Sequence, residues 1–321
     1  MQELKRVIAR EQPVINAALE RHIEELPPAA RPVARHVLAA GGKRLRPLLT
    51  VLTGRALGCQ DQGLYTLGAA IEMLHAATLL HDDILDNSLL RRGKPAAHTV
   101  FATTPVVLAG DALLAKAMLM VSAFGDSRLT DCISMAVMRT AEGEIAEFDL
   151  LRNLKVGHEE YLSVITGKTA WMLRASCELG ALLSGAGPAL VEAAAVFGLE
   201  LGVAFQMVDD ALDFSPPAET GKPRGGDVKE GKVTPPLLLY VASLVPDQAE
   251  AFMRKFSESA FSEDEVETLC EEVFSAGHAR GTRELAERHL AVAAGVLQRF
   301  PESGEKVVLE QMLHYIQCRD R

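Results

Sequence analysis

Two clusters of aspartate residues have the spacing of a divalent-metal site. Asp82 and Asp86 are four residues apart, as are Asp209 and Asp213, and each cluster ends an apolar segment of helical periodicity. Residues four apart share one face of a helix, where two carboxylates would repel by roughly 1 kcal/mol in water and by about 4 kcal/mol at an effective dielectric of 20. A bound cation removes this cost. Because Mg²⁺ takes carboxylates, water and substrate phosphates, the clusters predict two half-sites for a magnesium-bound diphosphate.

The alternative interpretation is that both clusters are ordinary solvated helix ends. Acidic residues, however, stabilise the N-terminal end of a helix rather than its C-terminal end. Two clusters of the same form in one chain are also far rarer by chance than a single one. We therefore interpret both clusters as functional.

Basic residues flank both acidic clusters and are natural partners of diphosphate oxygens. Each one alone is better explained as a solvated surface charge, but together they predict an anion site. His75 and Gln206 lie on the helix faces of the two clusters, seven residues before Asp82 and three before Asp209. The basic candidates are Lys43, Arg44 and Arg46 in GGKRLRP, Arg91, Arg92 and Lys94 after the first cluster, Lys168 beside Thr169 where a helix is interrupted, and Lys222 and Lys232 after the second cluster.

The elements that carry these residues are predicted to be helices. Apolar residues recur at three- and four-residue spacing, and the chain is 48% hydrophobic but only 5% aromatic. We find no alternating strand and no GxGxxG after a strand, which argues against a nucleotide-binding α/β fold. No linker divides the chain, so we expect one all-α domain over residues 1–321. The predicted helices cover residues 64–86, 105–124, 132–150, 159–184, 188–214, 232–244 and, with a solvated acidic face, 263–272.

Charge and composition limit the class of partner and the compartment. The net charge is −10, whereas a nucleic-acid binder needs a concentrated basic surface. The five cysteines are widely spaced and none is in a CxxC pair, which is typical of free thiols in a reducing compartment. The first residues lack the apolar core of a signal peptide, and no run of about 18 uncharged apolar residues predicts a membrane span. We expect a soluble cytoplasmic protein without a nucleic-acid partner.

Several segments resemble those of the trans-isoprenyl diphosphate synthases, the polyprenyl synthetase family. They occur in the family's order and span about residues 41–239. The resemblance implies an all-α bundle with a central active-site cavity, of the isoprenoid synthase type. It also implies a magnesium-dependent transferase that condenses isopentenyl diphosphate with an allylic diphosphate. The segments are GGKRLRP, LLHDDILDNSLLRRGKPAAH, GDALLAKA, GKTAWML, FQMVDDALDF and GDVKEGKVTPPLLL.

The resemblance also implies roles for the candidate residues. Asp82 and Asp86 would hold two Mg²⁺ ions on the allylic diphosphate, and Asp209 would support a third. Isopentenyl diphosphate would be bound by Lys43, Arg46, His75 and Arg92. The allylic diphosphate and the departing diphosphate would be bound by Arg91, Lys168, Thr169, Gln206, Lys222 and Lys232. The expected catalytic set is Asp82, Asp86, Lys168, Asp209 and Lys222.

One position departs from the family's pattern. Many members read GDD where this chain reads Gly225-Gly226-Asp227, so an acidic contact near the metal is expected to be missing. A terpene cyclase or head-to-head synthase of the same fold is an alternative. The basic residues expected to bind a second diphosphate argue against it, because a cyclase has no second diphosphate to hold. A non-catalytic subunit of a heteromeric synthase is another, which the two intact clusters disfavour. A homodimer is expected from the resemblance alone.

The residues upstream of the first cluster predict product length. In the family, the product grows down a hydrophobic tunnel beside this helix, and bulky residues near the cluster stop it. Here the fifth and fourth residues before the cluster, Ala77 and Thr78, are small. Leu74 lies deeper, where each helical turn adds about 5.4 Å; Met118 and Met120 are better explained as flexible core filler than as the tunnel's end. We expect a product longer than twenty carbons, in the range of thirty to fifty.

Overall fold

The computed structural model describes residues 2–216 and 224–319, and most of them lie in helices. Within these ranges one π-helix and one two-stranded hairpin accompany the α-helices. In chain order the elements are α1 (Gln2–Ile23), α2 (Arg31–Ala39), α3 (Leu45–Ala56), α4 (Gly63–Leu85), β1 (Leu90–Arg91), β2 (Lys94–Pro95), α5 (Ala97–Phe101), α6 (Thr103–Ser122), α7 (Ser127–Leu150), α8 (His158–Ile165), the π-helix (Thr166–Ala170), α9 (Trp171–Leu183), α10 (Pro188–Leu212), α11 (Gly226–Glu230), α12 (Pro235–Ser243), α13 (Pro246–Ser257), α14 (Glu263–Ser275), α15 (His278–Leu297) and α16 (Gly304–Gln317). The all-α prediction is confirmed.

The helix boundaries follow local signals in the sequence. The helix predicted over residues 64–86 is α4, and the one predicted over 188–214 is α10. The segment predicted as one helix over 159–184 is divided, because a π-helix at Thr166–Ala170 separates α8 from α9. This is the place where Gly167-Lys168-Thr169 was expected to interrupt the helix. Single π-helical turns inside α-helices occur frequently at functional sites.

A short hairpin between α4 and α5 was not predicted. Leu90 pairs with Pro95 and Arg91 with Lys94, in antiparallel register. The turn residues Arg92 and Gly93 both have positive φ, 53° and 75°, as a type I′ hairpin turn requires. Arginine is not a usual residue at the first position of such a turn, so the sequence carried only a weak signal. The hairpin holds two of the predicted diphosphate ligands, Arg91 and Arg92.

Two compact units are distinguished by their internal contacts. The first comprises the described residues of Met1–Val137, Met172–Gly198 and Val296–Gln311. The second comprises those of Met138–Trp171, Leu199–Gly295 and Met312–Arg321. The first aspartate cluster belongs to the first unit and the second cluster to the second. The single domain over residues 1–321 stays a prediction, and each unit is described by itself.

The core of the first unit is built around α4. Ala69, Ala70, Ile71 and Met73 of this helix are fully buried, and α4 packs against α3 and α6. Gly68 lets the two helices approach, because a Cβ there would lie 3.1 Å from atoms of Pro47 in α3. Burial of each large apolar side chain contributes about 1.5–3 kcal/mol. The C-terminal end of α4, which carries the first cluster, is therefore firmly placed within this unit.

The core of the second unit contains several aromatic residues. Phe214 and Phe256 are buried together with Leu237, Cys270 and Val273. Phe214 directly follows the last aspartate of the second cluster. Its complete burial therefore fixes the position of the carboxylates just before it.

Three helices are long and apolar enough to cross a membrane, by length and composition alone. In α4, α10 and α6 the most apolar windows are 67%, 50% and 39% buried within the protein. Each of these helices contains charged residues, so none is the uncharged apolar run that was expected to be absent. The apolar residues of α4 and α10 largely pack inside the protein, and both helices end in carboxylates, so a membrane span is not indicated.

Candidate active site

The first part of the site is a group of basic side chains in the first unit. Arg44 has a φ of 50° just before α3, and its guanidinium is bound by Glu72 (2.8 Å) and by the carbonyl oxygen of Leu38 (2.6 Å). Its role is therefore to hold the start of α3 in place. Two residues later, Nε of Arg46 is buried without a partner among the described residues. Because a buried donor without an acceptor is costly, this position fits an anionic ligand.

His75 of α4 is neutral beside these arginines. Burial, followed by the positive charges of Arg46 and Arg92, holds the pKa of His75 well below its usual value. Burial also lowers the pKa of Arg46, to about 10, with Glu72 opposing the change and Arg92 adding to it. Arg46 therefore keeps its charge at neutral pH, and the neutral imidazole can still donate one N–H. Arg46 and His75 can therefore both donate hydrogen bonds to a phosphate. Lys43, the third predicted ligand in this part of the chain, is exposed.

The hairpin fixes its basic side chains by hydrogen bonds. Nε of Arg91 donates to Asp83 (2.8 Å), Arg92 donates to the carbonyl oxygen of Gly41, and Nζ of Lys94 donates to that of Ala39 (2.7 Å). A Cβ at Gly42, whose φ is 144°, would lie 2.5 Å from Nη1 of Arg92. Gly41 and Gly42 both have a positive φ, 93° and 144°, a backbone conformation that favours glycine.

The three aspartates of the first cluster have different surroundings. Asp83 is 2% exposed and is bound by Arg91. Asp82 is half-buried and Asp86, the C-cap of α4, is exposed. The two residues predicted as metal ligands are therefore accessible, whereas Asp83 orients an arginine.

The second part of the site is a cavity in the second unit. Its volume is about 240 Å³. The structure brings together five of the predicted residues in its lining, and Lys222 lies outside the described residues. The five are Lys168, Thr169, Gln206, Asp209 and Lys232.

A chain of buried hydrogen bonds fixes the uncharged ligands of this cavity. Tyr161 donates to Asp210 (2.6 Å), Nε2 of Gln206 donates to the other oxygen of Asp210 (2.8 Å), and the Thr169 hydroxyl donates to Oε1 of Gln206 (2.9 Å). The amide oxygen and the amide nitrogen of Gln206 each have a hydrogen-bond partner, so the orientation of the amide is fixed. Asp210 lines the cavity as well, but both of its oxygens accept hydrogen bonds, from Tyr161 and from Gln206, so it positions Gln206. Sequence reasoning missed Tyr161, which only the fold brings to α10.

Lys168 is held by two glutamates that the sequence analysis did not select. Its Nζ lies 2.9 Å from Glu144 and also contacts Glu147. Burial alone would lower the pKa of Lys168, but the two carboxylates more than offset this and raise it. The π-helix reaches α7 at Gly143, where a Cβ would lie 2.2 Å from the backbone nitrogen of Lys168. The three-residue spacing of the glutamates was the signal that could have identified them.

Gly226, the position that departs from the family's pattern, lies beside Asp213. The backbone N–H groups of Gly226 and Asp227 donate to the carboxylate of Asp213, at 3.1 and 3.0 Å. Asp213 therefore binds the start of α11. Nearby, Oδ2 of Asp227 is buried without a partner among the described residues. Burial raises the pKa values of both carboxyl groups, and the charge of Asp213 raises that of Asp227 further.

Stability of the metal-free protein is expected to fall as the pH rises from about 4 to about 7. Burial raises the pKa of Asp210 to about 7, although Tyr161 and Gln206 oppose this. Between the ordinary pKa of about 4 and this value, the unfolded chain has lost a proton that the folded chain keeps, so a rising pH favours unfolding. Thermal unfolding in a chelator across this range measures the effect, and Asp210→Asn should reduce it.

Asp126→Asn is the matched control for this pH dependence. Asp126 is paired with Arg128, which lowers its pKa, so its titration lies below the window. The control should keep the full fall in stability. A stability that rises over the window, or an Asp210→Asn profile identical to that of the unchanged protein, would contradict the assignment.

Asp209 has one contact that was not predicted. Its Oδ1 lies 2.9 Å from Nη1 of Arg319, which follows α16.

Among the residues predicted to set product length, Ala77 and Leu74 of α4 are buried, at 3% and 2% exposure. Thr78 is half-buried, and its hydroxyl donates to the carbonyl oxygen of His75. Their placement upstream of the cluster agrees with the sequence, and their role stays a prediction.

The donor set fits Mg²⁺ that arrives with a diphosphate. Within residues 2–216 and 224–319, no three His, Cys, Asp or Glu side chains are close enough to hold an ion by themselves. Mg²⁺ usually completes its octahedron with water and substrate phosphates around one or two carboxylates. The accessible carboxylates of Asp82, Asp86 and Asp209 meet that requirement.

Comparisons with known proteins place the chain in a family. The model of the family described as "Polyprenyl synthetase" matches residues 27–273. Octaprenyl diphosphate synthase of Escherichia coli (strain K12) is 32% identical over 322 residues, covering 100% of this chain and 99% of that protein. A polyprenyl synthase from Caulobacter crescentus CB15, complexed with calcium and isoprenyl diphosphate, is 35% identical, with a TM-score of 0.92 over 99% of this chain and 98% of that one. A decaprenyl diphosphate synthase from Rhodobacter capsulatus is 32% identical, with a TM-score of 0.93 over 100% and 99% of the two chains. This chain therefore belongs to the polyprenyl synthetase family and is a prenyl-transferring enzyme.

Proposed function

We propose that this enzyme condenses isopentenyl diphosphate with an allylic diphosphate to give a linear trans-polyprenyl diphosphate. The observation that carries the proposal is the same combination in both units: accessible carboxylates at the end of an apolar helix, with basic side chains in the surrounding structure. A single diphosphate would need only one basic group. The separate group around Arg46 and His75 supports a second diphosphate substrate.

The acidic residues and lysines would act on the allylic substrate. When bound, Mg²⁺ would neutralise the oxygens of the leaving diphosphate and so favour breaking of the allylic C–O bond. Asp82 and Asp86 would hold two ions and Asp209 a third. The positive charges that would retain the departing diphosphate are those of Arg91, Lys168, Lys222 and Lys232, with hydrogen bonds from Thr169 and Gln206.

The basic group of the first unit would orient the second substrate. Arg46 and His75, with Lys43 and Arg92, would bind the diphosphate of isopentenyl diphosphate and so direct its double bond at the allylic carbon. Departure of the diphosphate would leave an allylic carbocation, the double bond of isopentenyl diphosphate would attack it to form the new C–C bond, and a proton would then pass to the released diphosphate. No side-chain nucleophile is needed. Water must be excluded, because it would capture the carbocation.

A product longer than twenty carbons is supported by the small residues on α4. Ala77 and Thr78 leave no bulky side chain at the level of the first cluster. Two of the relatives described above make octaprenyl and decaprenyl diphosphates by name. Together these favour the range of thirty to fifty carbons.

A homodimer is supported by apolar faces on two helices. Leu108 and Leu119 of α6 are 60% and 65% exposed, and Met138, Ile145 and Phe148 of α7 are 58%, 64% and 75% exposed. On each helix these residues recur at near-helical spacing. Exposed apolar faces of this kind mark protein–protein contacts, and a second copy of the chain is the partner we propose.

A cytoplasmic location is supported by the cysteines. Cys59, Cys132, Cys177 and Cys270 are buried free thiols, and Cys318 is an exposed one. Free thiols persist in reducing compartments. The net charge of −10 agrees with the absence of a nucleic-acid partner from the proposal.

The test is incubation of the pure chain with Mg²⁺, isopentenyl diphosphate and allylic primers of increasing length. Linear products of thirty to fifty carbons are expected, formed by a species whose mass by light scattering is that of two chains. Cyclic or head-to-head products would favour the alternative synthase. A chain that is inactive alone but stimulates a partner would favour the non-catalytic subunit.

A further inference from the structure

Arg319 forms an ion pair with Asp209, the carboxylate that is proposed to hold the third metal ion. Its Nη1 lies 2.9 Å from Oδ1 of Asp209. Its guanidinium carbon lies 4.6 Å from the ring centroid of Phe205, four residues before Asp209 on α10. The Arg319 side chain is 13% exposed and that of Asp209 is 44% exposed. The guanidinium thus rests on the helix face that presents this carboxylate.

The backbone next to Arg319 is also fixed. Nη2 of Arg283 donates to the carbonyl oxygen of Arg319 (3.0 Å), and Nε2 of Gln317 donates to Glu287 (3.1 Å). Both partners lie on α15. The backbone position of Arg319 therefore does not depend on its ion pair alone.

Among the described residues, the two lysines that line this unit's cavity are already engaged by carboxylates. Lys168 is bound by Glu144 and Glu147, and Lys232 by Glu230. Arg319 does not line the cavity; it reaches Asp209 from α16. It is therefore the cation that a metal ion must replace at Asp209, because a guanidinium and Mg²⁺ repel each other when they share one oxygen.

We propose that Arg319 is a positioning residue that occupies Asp209 until metal and diphosphate arrive together. A metal ion that arrives alone must displace the guanidinium from Asp209, and the guanidinium then has no new anionic partner to replace the lost ion pair. A diphosphate supplies oxygens that bind both cations, so the guanidinium can transfer to a diphosphate oxygen as the metal takes the carboxylate. Arg319 thereby makes occupancy of Asp209 by metal depend on diphosphate. This inference rests on the proposed function of Asp209.

The test is Mn²⁺ binding followed by electron paramagnetic resonance, with and without inorganic pyrophosphate. All variants are made in an Asp82→Asn chain, which weakens binding at the first cluster. Without pyrophosphate, Arg319→Gln should bind Mn²⁺ about twofold to fivefold more tightly than the Asp82→Asn parent, the range expected for loss of a partly exposed ion pair. With pyrophosphate, the same variant should bind Mn²⁺ no more tightly than the parent.

Two further variants complete the comparison. Arg283→Gln, which frees the backbone of residue 319, should shift Mn²⁺ binding in the same direction by a smaller factor. Lys255→Gln is the matched control, because Lys255 also pairs with a carboxylate (Glu265) and lies over a ring, 4.9 Å from the centroid of Phe261. It should leave Mn²⁺ binding unchanged.

Failure of this inference can be separated from failure of the proposed function. If Arg319→Gln binds Mn²⁺ as the parent does or more weakly, while Asp209→Asn abolishes the site, only the role of Arg319 is overturned. If Asp209→Asn leaves Mn²⁺ and pyrophosphate binding intact, the metal role of Asp209 is itself wrong.

Discussion

Asp82→Asn and Asp209→Asn are each expected to lower turnover by about a thousandfold. The substitution keeps the shape of the side chain and removes the charge, so loss of activity reports loss of a metal ligand. Metal ions stabilise the charge of a leaving group by several kcal/mol, and each 1.36 kcal/mol changes a rate tenfold. Steady-state rates at saturating substrate, with Mg²⁺ varied, measure the effect. The rate deficit of both variants should persist at high Mg²⁺.

Asp126→Asn provides the control for these substitutions. Asp126 precedes α7 and is bound by Arg128 on the surface, so its loss should leave the rate within a factor of about two. Circular dichroism and thermal unfolding of all three variants verify that each is folded. A rate close to that of the unchanged enzyme in either Asp82→Asn or Asp209→Asn would remove that residue from the metal site.

Ala77→Phe is expected to shorten the product sharply. Ala77 lies on α4 five residues before Asp82 and is 3% exposed, so a phenyl ring there must enter the interior; in the predicted tunnel it would block the growing chain. If instead the space is filled by protein, overpacking would destabilise the fold by about 1–3 kcal/mol. Chromatographic sizing of products from one primer distinguishes the two outcomes, because only a blocked tunnel changes product length in a folded enzyme.

Ala76→Phe is the matched control for product length. Ala76 is equally buried, but it lines the small cavity beside His75 and Arg92. A ring at this position should weaken binding of isopentenyl diphosphate and leave product length unchanged. A product profile that is the same for Ala77→Phe as for the unchanged enzyme would show that the tunnel assignment is wrong.

The elements of the fold were largely predictable because their signals are local. Three- and four-residue apolar spacing identified α4 and α10, and both clusters lie where these helices end. The interruption at Gly167-Lys168-Thr169 was expected, although its π-helical form was not. The hairpin at Leu90–Pro95 was missed, since two-residue strands carry almost no pattern and the turn begins with arginine.

The contacts within the site were less predictable because they join residues distant in the chain. Nothing in the sequence places Tyr161 against Asp210, or Arg319 against Asp209. The distinction among the aspartates of the first cluster is also a tertiary effect, since Asp83 turns inward to Arg91. The spacing of aspartates in the sequence can identify a cluster, but the packing of the fold decides which of these aspartates are accessible to a metal ion.

The departure at Gly226 illustrates the same limit. The sequence suggested the loss of an acidic contact near the metal. In the structure the backbone N–H of Gly226 binds Asp213, and a Cβ at residue 226 would lie 3.3 Å from the Asp213 carboxylate. An acidic side chain here would start beside an existing negative charge, so glycine avoids a repulsion.

We propose that the two acidic clusters act on one metal-bound diphosphate. Counting Mn²⁺ ions bound per chain, in the presence of an unreactive thio analogue of the allylic diphosphate, tests this claim. We predict three ions in the unchanged enzyme and two in Asp209→Asn, with analogue binding weakened by either Asp82→Asn or Asp209→Asn. Three ions in Asp209→Asn, or analogue binding that depends on only one cluster, would contradict it.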